Sequence, residues 1–161
     1  MLARGRHRVR QFFGALRPHV HDADRREAYP WLNEAQQLVF ESMMLRDQQH
    51  GIEVFRRVSL SSPRDAPLIV AALLHDCGKG QVRLWQRVAH VLMPSGVRRT
   101  LASETGASWR RAFWRLTHHP ELGAVTVAAT GADPDAVRMI REQEAPARDR
   151  RLALLQAADD A

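Results

Sequence analysis

Pro67–Leu74 is the longest unbroken apolar run in the chain, and it leads directly into His75-Asp76-Cys77-Gly78-Lys79-Gly80. Such a run is far too short to cross a bilayer. It reads instead as a buried helix opened by Asp65 or Ala66, with Pro67 in the first turn, where a missing N–H is harmless. The helix ends near His75, and Gly78 and Gly80 break it. A buried imidazole and a buried carboxylate each cost free energy unless something pairs with them. This helix end is therefore either a satisfied corner of the core or a place where two side chains are held for a task.

The sequence around this run reads as helix. The 161 residues, 45% apolar and 26% charged, fit one domain with a real hydrophobic core. Runs of alternating polarity are few, and no Asn-Gly or Asp-Gly hairpin signal occurs. Val9, Phe12, Phe13 and Leu16 repeat at helical spacing ahead of Pro18. Helices are expected over Asp22–Ala28, over Leu32–Met44, and from about Asp47 to Leu60, followed by a loop at Ser61-Ser62-Pro63. After the apolar helix come Val82–Leu92, a piece following Pro94, Ser108–Leu116, Glu121–Thr130, Asp135–Arg141 and Arg148–Ala158, with a turn at Gly131-Ala132-Asp133-Pro134. No internal repeat or composition break marks a second domain. The expected class is all-α, a single-domain helical bundle, with residues 1–44 as an N-terminal helical extension packed on residues 45–161.

The net charge of +6 favours anionic partners without choosing among them. Of the 24 Lys+Arg residues only Lys79 is lysine, and it falls in the segment after the apolar helix. Lysine is a compact point charge suited to a phosphate oxygen, and arginine does not replace it freely at a tight site. The first seventeen residues carry five arginines and no acid, which reads as an amphipathic helix with a solvated basic face. Trp85, Trp109 and Trp114 stand among arginines and read as helical core positions with snorkelling neighbours. A nucleic-acid-binding module rests on charge alone and ranks last. A single cysteine excludes an internal disulfide framework, and no apolar stretch of signal-peptide type follows the basic N-terminus; the expectation is a cytoplasmic protein with no membrane span.

Four places carry ligand chemistry: His50, the His75–Asp76 pair, His118-His119, and Asp159-Asp160. In a helical bundle, residues remote in sequence meet in the core. Imidazoles and carboxylates are ligands for Zn, Mn or Fe, and for Mg where carboxylates dominate. A metal so held yields a hydroxide near neutral pH, and a nearby lysine neutralises charge on a phosphoryl oxygen. Each place also has a plainer reading. His50 sits at the edge of an apolar arc, Asp47 caps its helix or supports a ligand histidine, and His118 faces solvent. Cys77 is a small buried residue, and Asp159-Asp160 a solvated tail.

Ala71–Gly80, AALLHDCGKG, resembles the signature of the HD-domain metal-dependent phosphohydrolase superfamily, helical proteins with a His … His-Asp … Asp ligand order. The resemblance covers roughly 45–160 and makes that region the metal-binding helical domain. It implies His50, His75, Asp76 and Asp159 as metal ligands, with Asp76 also orienting the water. Lys79, and with it His119, would contact the phosphate or the leaving group. The implied cofactor is a divalent metal ion (Mn, Fe, Zn, Co or Mg), and the implied substrate a nucleotide or other small phosphorylated metabolite. Members with a second metal have a His-Pro-Glu-x-Gly-Ala segment, matched by HPELGA at His119, and a later His-His-Glu segment. The latter reads IREQEAP here, with Gln143 and Glu144 in place of histidines, so the resemblance implies a mononuclear site. The alternative is a catalytically degenerate binding or regulatory protein that keeps the metal site and uses its basic N-terminal helix for an anionic partner.

Overall fold

The computed structural model describes residues 18–161. All of its regular secondary structure is helical: α1 Asp22–Ala28, α2 Glu34–Ser42, α3 Leu45–Ser61, α4 Ala66–Leu74, α5 Leu84–Leu92, α6 Ser95–Leu101, α7 Ser108–Ala128, α8 Pro134–Glu142 and α9 Arg150–Asp159, with 3₁₀ turns at Tyr29–Trp31 and Cys77–Lys79. The expected helix around Val9, Phe12, Phe13 and Leu16 lies outside the described residues. No helix among the described residues is long and apolar enough to cross a membrane.

Because α4 is apolar on every side, its neighbours must surround it. Leu68, Ile69, Val70, Ala71, Ala72, Leu73 and Leu74 are all buried, and α2, α3, α8 and α9 pack around them. Asp65 caps the helix by accepting from the Leu68 N–H at 3.3 Å. Val20, Ala28, Leu32, Phe40 and Met43 from the N-terminal part join the same core. The second helix is shorter than expected because Asn33 and Gln36 form a reciprocal capping box that starts it late (2.8 and 2.9 Å), and Met43 leaves it in extended backbone.

The chain does not break at Pro120. Two expected helices, Ser108–Leu116 and Glu121–Thr130, are one helix of 21 residues with Pro120 inside it. Proline lacks the N–H that would bond the carbonyl of Leu116. The His119 ring takes that place, donating from Nδ1 to the Leu116 oxygen at 3.1 Å. The first half of α7 carries a second small core, in which Val82, Ala112, Phe113 and Leu116 meet Ala89 and Met93 of the α5 region, Leu101 and Ala102 of the α6 region, and Trp109. Trp109 packs edge-on to Phe113 (5.8 Å), and Trp114 stacks on His118 (4.7 Å). Trp85 departs from the expected core position and is 54% exposed.

Candidate metal centre

The turn after α4 and two close helix contacts build the site. Gly51 lets α3 lie against the end of α4, since a Cβ there would stand 2.7 Å from the Leu73 oxygen. That contact sets His50 beside His75, with ring centroids 5.1 Å apart. Gly78 has ordinary backbone geometry, so it does not end the helix through a left-handed turn. Its missing Cβ matters instead: one would lie 2.1 Å from the His119 oxygen and 2.6 Å from the Gly123 nitrogen. The turn bearing Asp76 and Lys79 is thus pressed onto α7 beside His119. The last turn of α9 supplies Asp159, and Arg57 of α3 donates to the neighbouring Ala158 carbonyl at 3.0 Å. Buried Leu152, Leu155 and Ala158 hold the rest of α9 on the core.

His50, His75 and Asp159 each offer one ligating atom, all within 4.8 Å of one another. His50 Nε2 lies 2.6 Å from Asp159 Oδ1. His75 is 1% exposed and donates from Nδ1 to the Ala72 carbonyl at 2.9 Å, which leaves Nε2 facing the site. That Nε2 is 3.4 Å from one oxygen of Asp159 and 3.4 Å from one of Asp76, and hydrogen-bonds to neither. A buried ring nitrogen without a partner, between two carboxylates, fits a divalent cation. Two imidazole nitrogens and carboxylate oxygens are a donor set for Zn, Mn or Fe.

Asp76 stands outside that tight group of three. Its Oδ2 takes the Lys79 ammonium at 2.6 Å, and its Oδ1 is 3.8 Å from His119 Nε2. His119 Nε2 is also 3.8 Å from Glu144 Oε1. Because His119 Nδ1 donates to a carbonyl, the neutral ring presents a lone pair at Nε2, so it accepts rather than donates there. His118 turns away from this group, donating from Nδ1 to the Trp114 carbonyl at 2.8 Å. Asp160 follows the last turn of α9 and joins no ligand group among the described residues.

The electrostatics follow from burial and charge together. Burial disfavours the imidazolium of His75, but Asp76 and Asp159 outweigh it and raise its pKa. Burial also opposes the Asp159 carboxylate, yet His50 and His75 hold its pKa well below the usual range. For Asp76, Lys79 and the surrounding imidazoles overcome burial in the same way. His119 goes the other way: burial, and then the Lys79 charge, push it down to about 4. Burial and the Asp76 charge push the Cys77 thiol up to about 12, so it stays protonated and is no nucleophile at neutral pH.

Some of the groups that matter are not evident from residue type. Gln143 donates to the His75 carbonyl at 2.9 Å and so braces the backbone behind the site. Gln156 in turn holds the Gln143 and Ala145 carbonyls at 3.0 and 2.6 Å. Asp47 does not cap its helix and pairs with an arginine rather than a ligand histidine: it is buried and accepts from both terminal Arg87 nitrogens, Nη1 and Nη2, at 2.7 and 2.6 Å. The chain matches no protein-family model, no curated protein and no solved structure.

Proposed function

We propose that this chain is a metal-dependent phosphohydrolase of the HD-domain type, hydrolysing a phosphoester of a nucleotide or other small phosphorylated metabolite. One observation carries the reading. His50, His75 and Asp159, remote in sequence, bring ligating atoms within 4.8 Å of one another around a buried His75 Nε2 that has no hydrogen-bond partner. His50, His75 and Asp159 would hold a divalent cation, which would supply the Lewis acidity that activates a water near neutral pH. The chain's own residues do the rest. Nδ1–H donation to the Ala72 carbonyl fixes the His75 ring with its lone pair inward. Asp76 holds the Lys79 ammonium at the rim, where it meets a phosphoryl oxygen. His119 is neutral and offers a lone pair from Nε2, so its part is to accept a proton or a substrate hydroxyl rather than to donate to phosphate. A cytoplasmic location suits a chain with one cysteine and this chemistry.

Metal analysis and phosphate release on a panel of nucleotides and phosphomonoesters test the proposal. The expected result is a stoichiometric transition metal and a turnover that falls to background in His75→Ala and in Asp76→Asn. Turnover that persists in the metal-stripped protein overturns it. Bound metal with no turnover on any substrate replaces it with the binding-protein reading.

A further inference from the structure

The α5 helix is apolar on two sides, and the fold covers only one of them. Inward, Ala89 and the following Met93 pack on the second core, and Gln86 is buried. Outward, Trp85, Val88 and Leu92 recur at helical spacing, and Val91 and Val97 flank the short link to α6. Trp85 is 54% exposed, Val91 67%, Leu92 77% and Val97 47%. A helix with two apolar faces needs two surfaces to bury them.

The charge around this face identifies the missing surface. Residues 83–119 hold seven arginines against one acid, Glu104, whereas the other described residues hold twelve Lys or Arg against seventeen acids. The basic charge of the described chain is therefore concentrated in the layer built from α5, α6 and the first half of α7. Arg83, Arg98 and Arg99 border the apolar stripe and form no ion pair among the described residues. The described chain begins at Pro18, which lines a cleft with Leu84 at the start of α5. The seventeen residues before it add five arginines, no acid, and Val9, Phe12, Phe13 and Leu16 to the sequence.

We propose that the outer face of α5, with the α5–α6 link, docks on an anionic lipid bilayer. Trp85, Val88, Val91, Leu92 and Val97 enter the boundary between headgroups and acyl chains, and Arg83, Arg98 and Arg99 reach lipid phosphates. Other occupants fit worse. The N-terminal segment would bring five like charges onto a basic layer. A second copy joined face to face would oppose the same charge on itself. A nucleic acid gains from aromatic platforms, whereas four of the five apolar side chains here are aliphatic.

Co-sedimentation of the full chain with vesicles tests this. Binding is expected to vesicles of equal parts phosphatidylcholine and phosphatidylglycerol, not to phosphatidylcholine alone, and weakening as salt rises. The double variant Val91→Ser/Leu92→Ser should lower partitioning on the order of tenfold, with circular dichroism and melting unchanged because both side chains lie outside the core. Arg98→Ser/Arg99→Ser should weaken binding and flatten its salt dependence. Three results overturn the proposal: no sedimentation with the mixed vesicles, undiminished sedimentation of Val91→Ser/Leu92→Ser, or a dimer by light scattering that this variant disperses.

Discussion

At the scale of single residues, the backbone acceptor of each buried imidazole decides which ring nitrogen faces the site, and the neighbouring charges decide its protonation. His75 and His119 each donate Nδ1–H to the carbonyl three residues back, of Ala72 and Leu116. Each therefore shows Nε2 to the site. Their charges then diverge with their surroundings, His75 raised between Asp76 and Asp159 and His119 lowered to about 4 by burial and Lys79. The signs give opposite pH dependences. The unfolded chain protonates His119 below about 6.5, and the folded chain resists until about 4. Its contribution is present above pH 6.5 and lost as pH falls through that window, by up to about 3 kcal/mol. For His75 the stabilisation is present below 6.5 and lost as pH rises through its higher folded value. Denaturant melts in chelator should show the wild type losing more stability than His119→Gln between neutral pH and about 4. Parallel slopes for the two proteins would sink this assignment. His75→Ala and Asp76→Asn, by contrast, are read through metal content and turnover. The residue order of the motif named His50, His75, Asp76 and Asp159 together, and three of the four bring ligating atoms within 4.8 Å of one another, with Asp76 outside that group. Ring orientation was not legible, because it depends on which carbonyl lies within reach of Nδ1. Nor was the use of Gln143, whose type says nothing of the His75 carbonyl 68 residues away that it braces.

At the scale of elements, two glycines fix how closely the helices approach. Alanine normally stabilises a helix over glycine by up to about 1 kcal/mol. Gly96 in α6 has open space where a Cβ would go, so Gly96→Ala should follow that rule. Gly51 and Gly78 should reverse it, because their neighbours are backbone atoms that cannot give way. Gly51→Ala should destabilise by about 2 kcal/mol and weaken metal affinity by moving His50 off His75. Gly78→Ala should cost about 3 kcal/mol or more. Thermal melts of the three alanine variants check the contrast, and a stabilised Gly78→Ala would refute the close packing. The buried pair that ties α3 to Arg87 gives a further expectation: Asp47→Ala should destabilise by about 3 kcal/mol, since it leaves a guanidinium that is 16% exposed without its carboxylate. Helix boundaries were legible where a side chain marks them. Asp22–Ala28 is as expected, and Asp65 caps α4 at the expected place. Pro120 misled because proline breaks a helix unless its orphaned carbonyl finds another donor, and that donor is the very histidine before it. Gly80 does make the expected left-handed turn, at φ +61°, but Gly78 misled for a related reason: sequence shows the permission to turn, whereas the contact that forbids a Cβ exists only after folding.

At the scale of the whole molecule, the site is a junction of distant parts. His50 comes from α3, His75 and Asp76 from the end of α4, and Asp159 from the last turn of α9. None of these elements is joined to another by a short hairpin except α3 and α4. A ligand that binds all of them binds only the folded chain, so its binding energy becomes folding energy. Saturation at about 100 times the dissociation constant stabilises by about 2.7 kcal/mol, a rise of about 5–10 °C in Tm for a chain of this size. Zn or Mn added to the chelator-treated wild type should produce that rise, and affinity should increase with pH as His75 gives up its proton. Asp159→Asn removes an anionic ligand from the partly exposed end of α9 while leaving Leu152, Leu155 and Ala158 in the core. The variant should therefore stay folded in chelator and show little or no rise with metal. An equal metal-induced rise in Asp159→Asn and wild type would mean that the ion binds elsewhere, and the junction would then be a set of structural ion pairs between His50, His75 and Asp159.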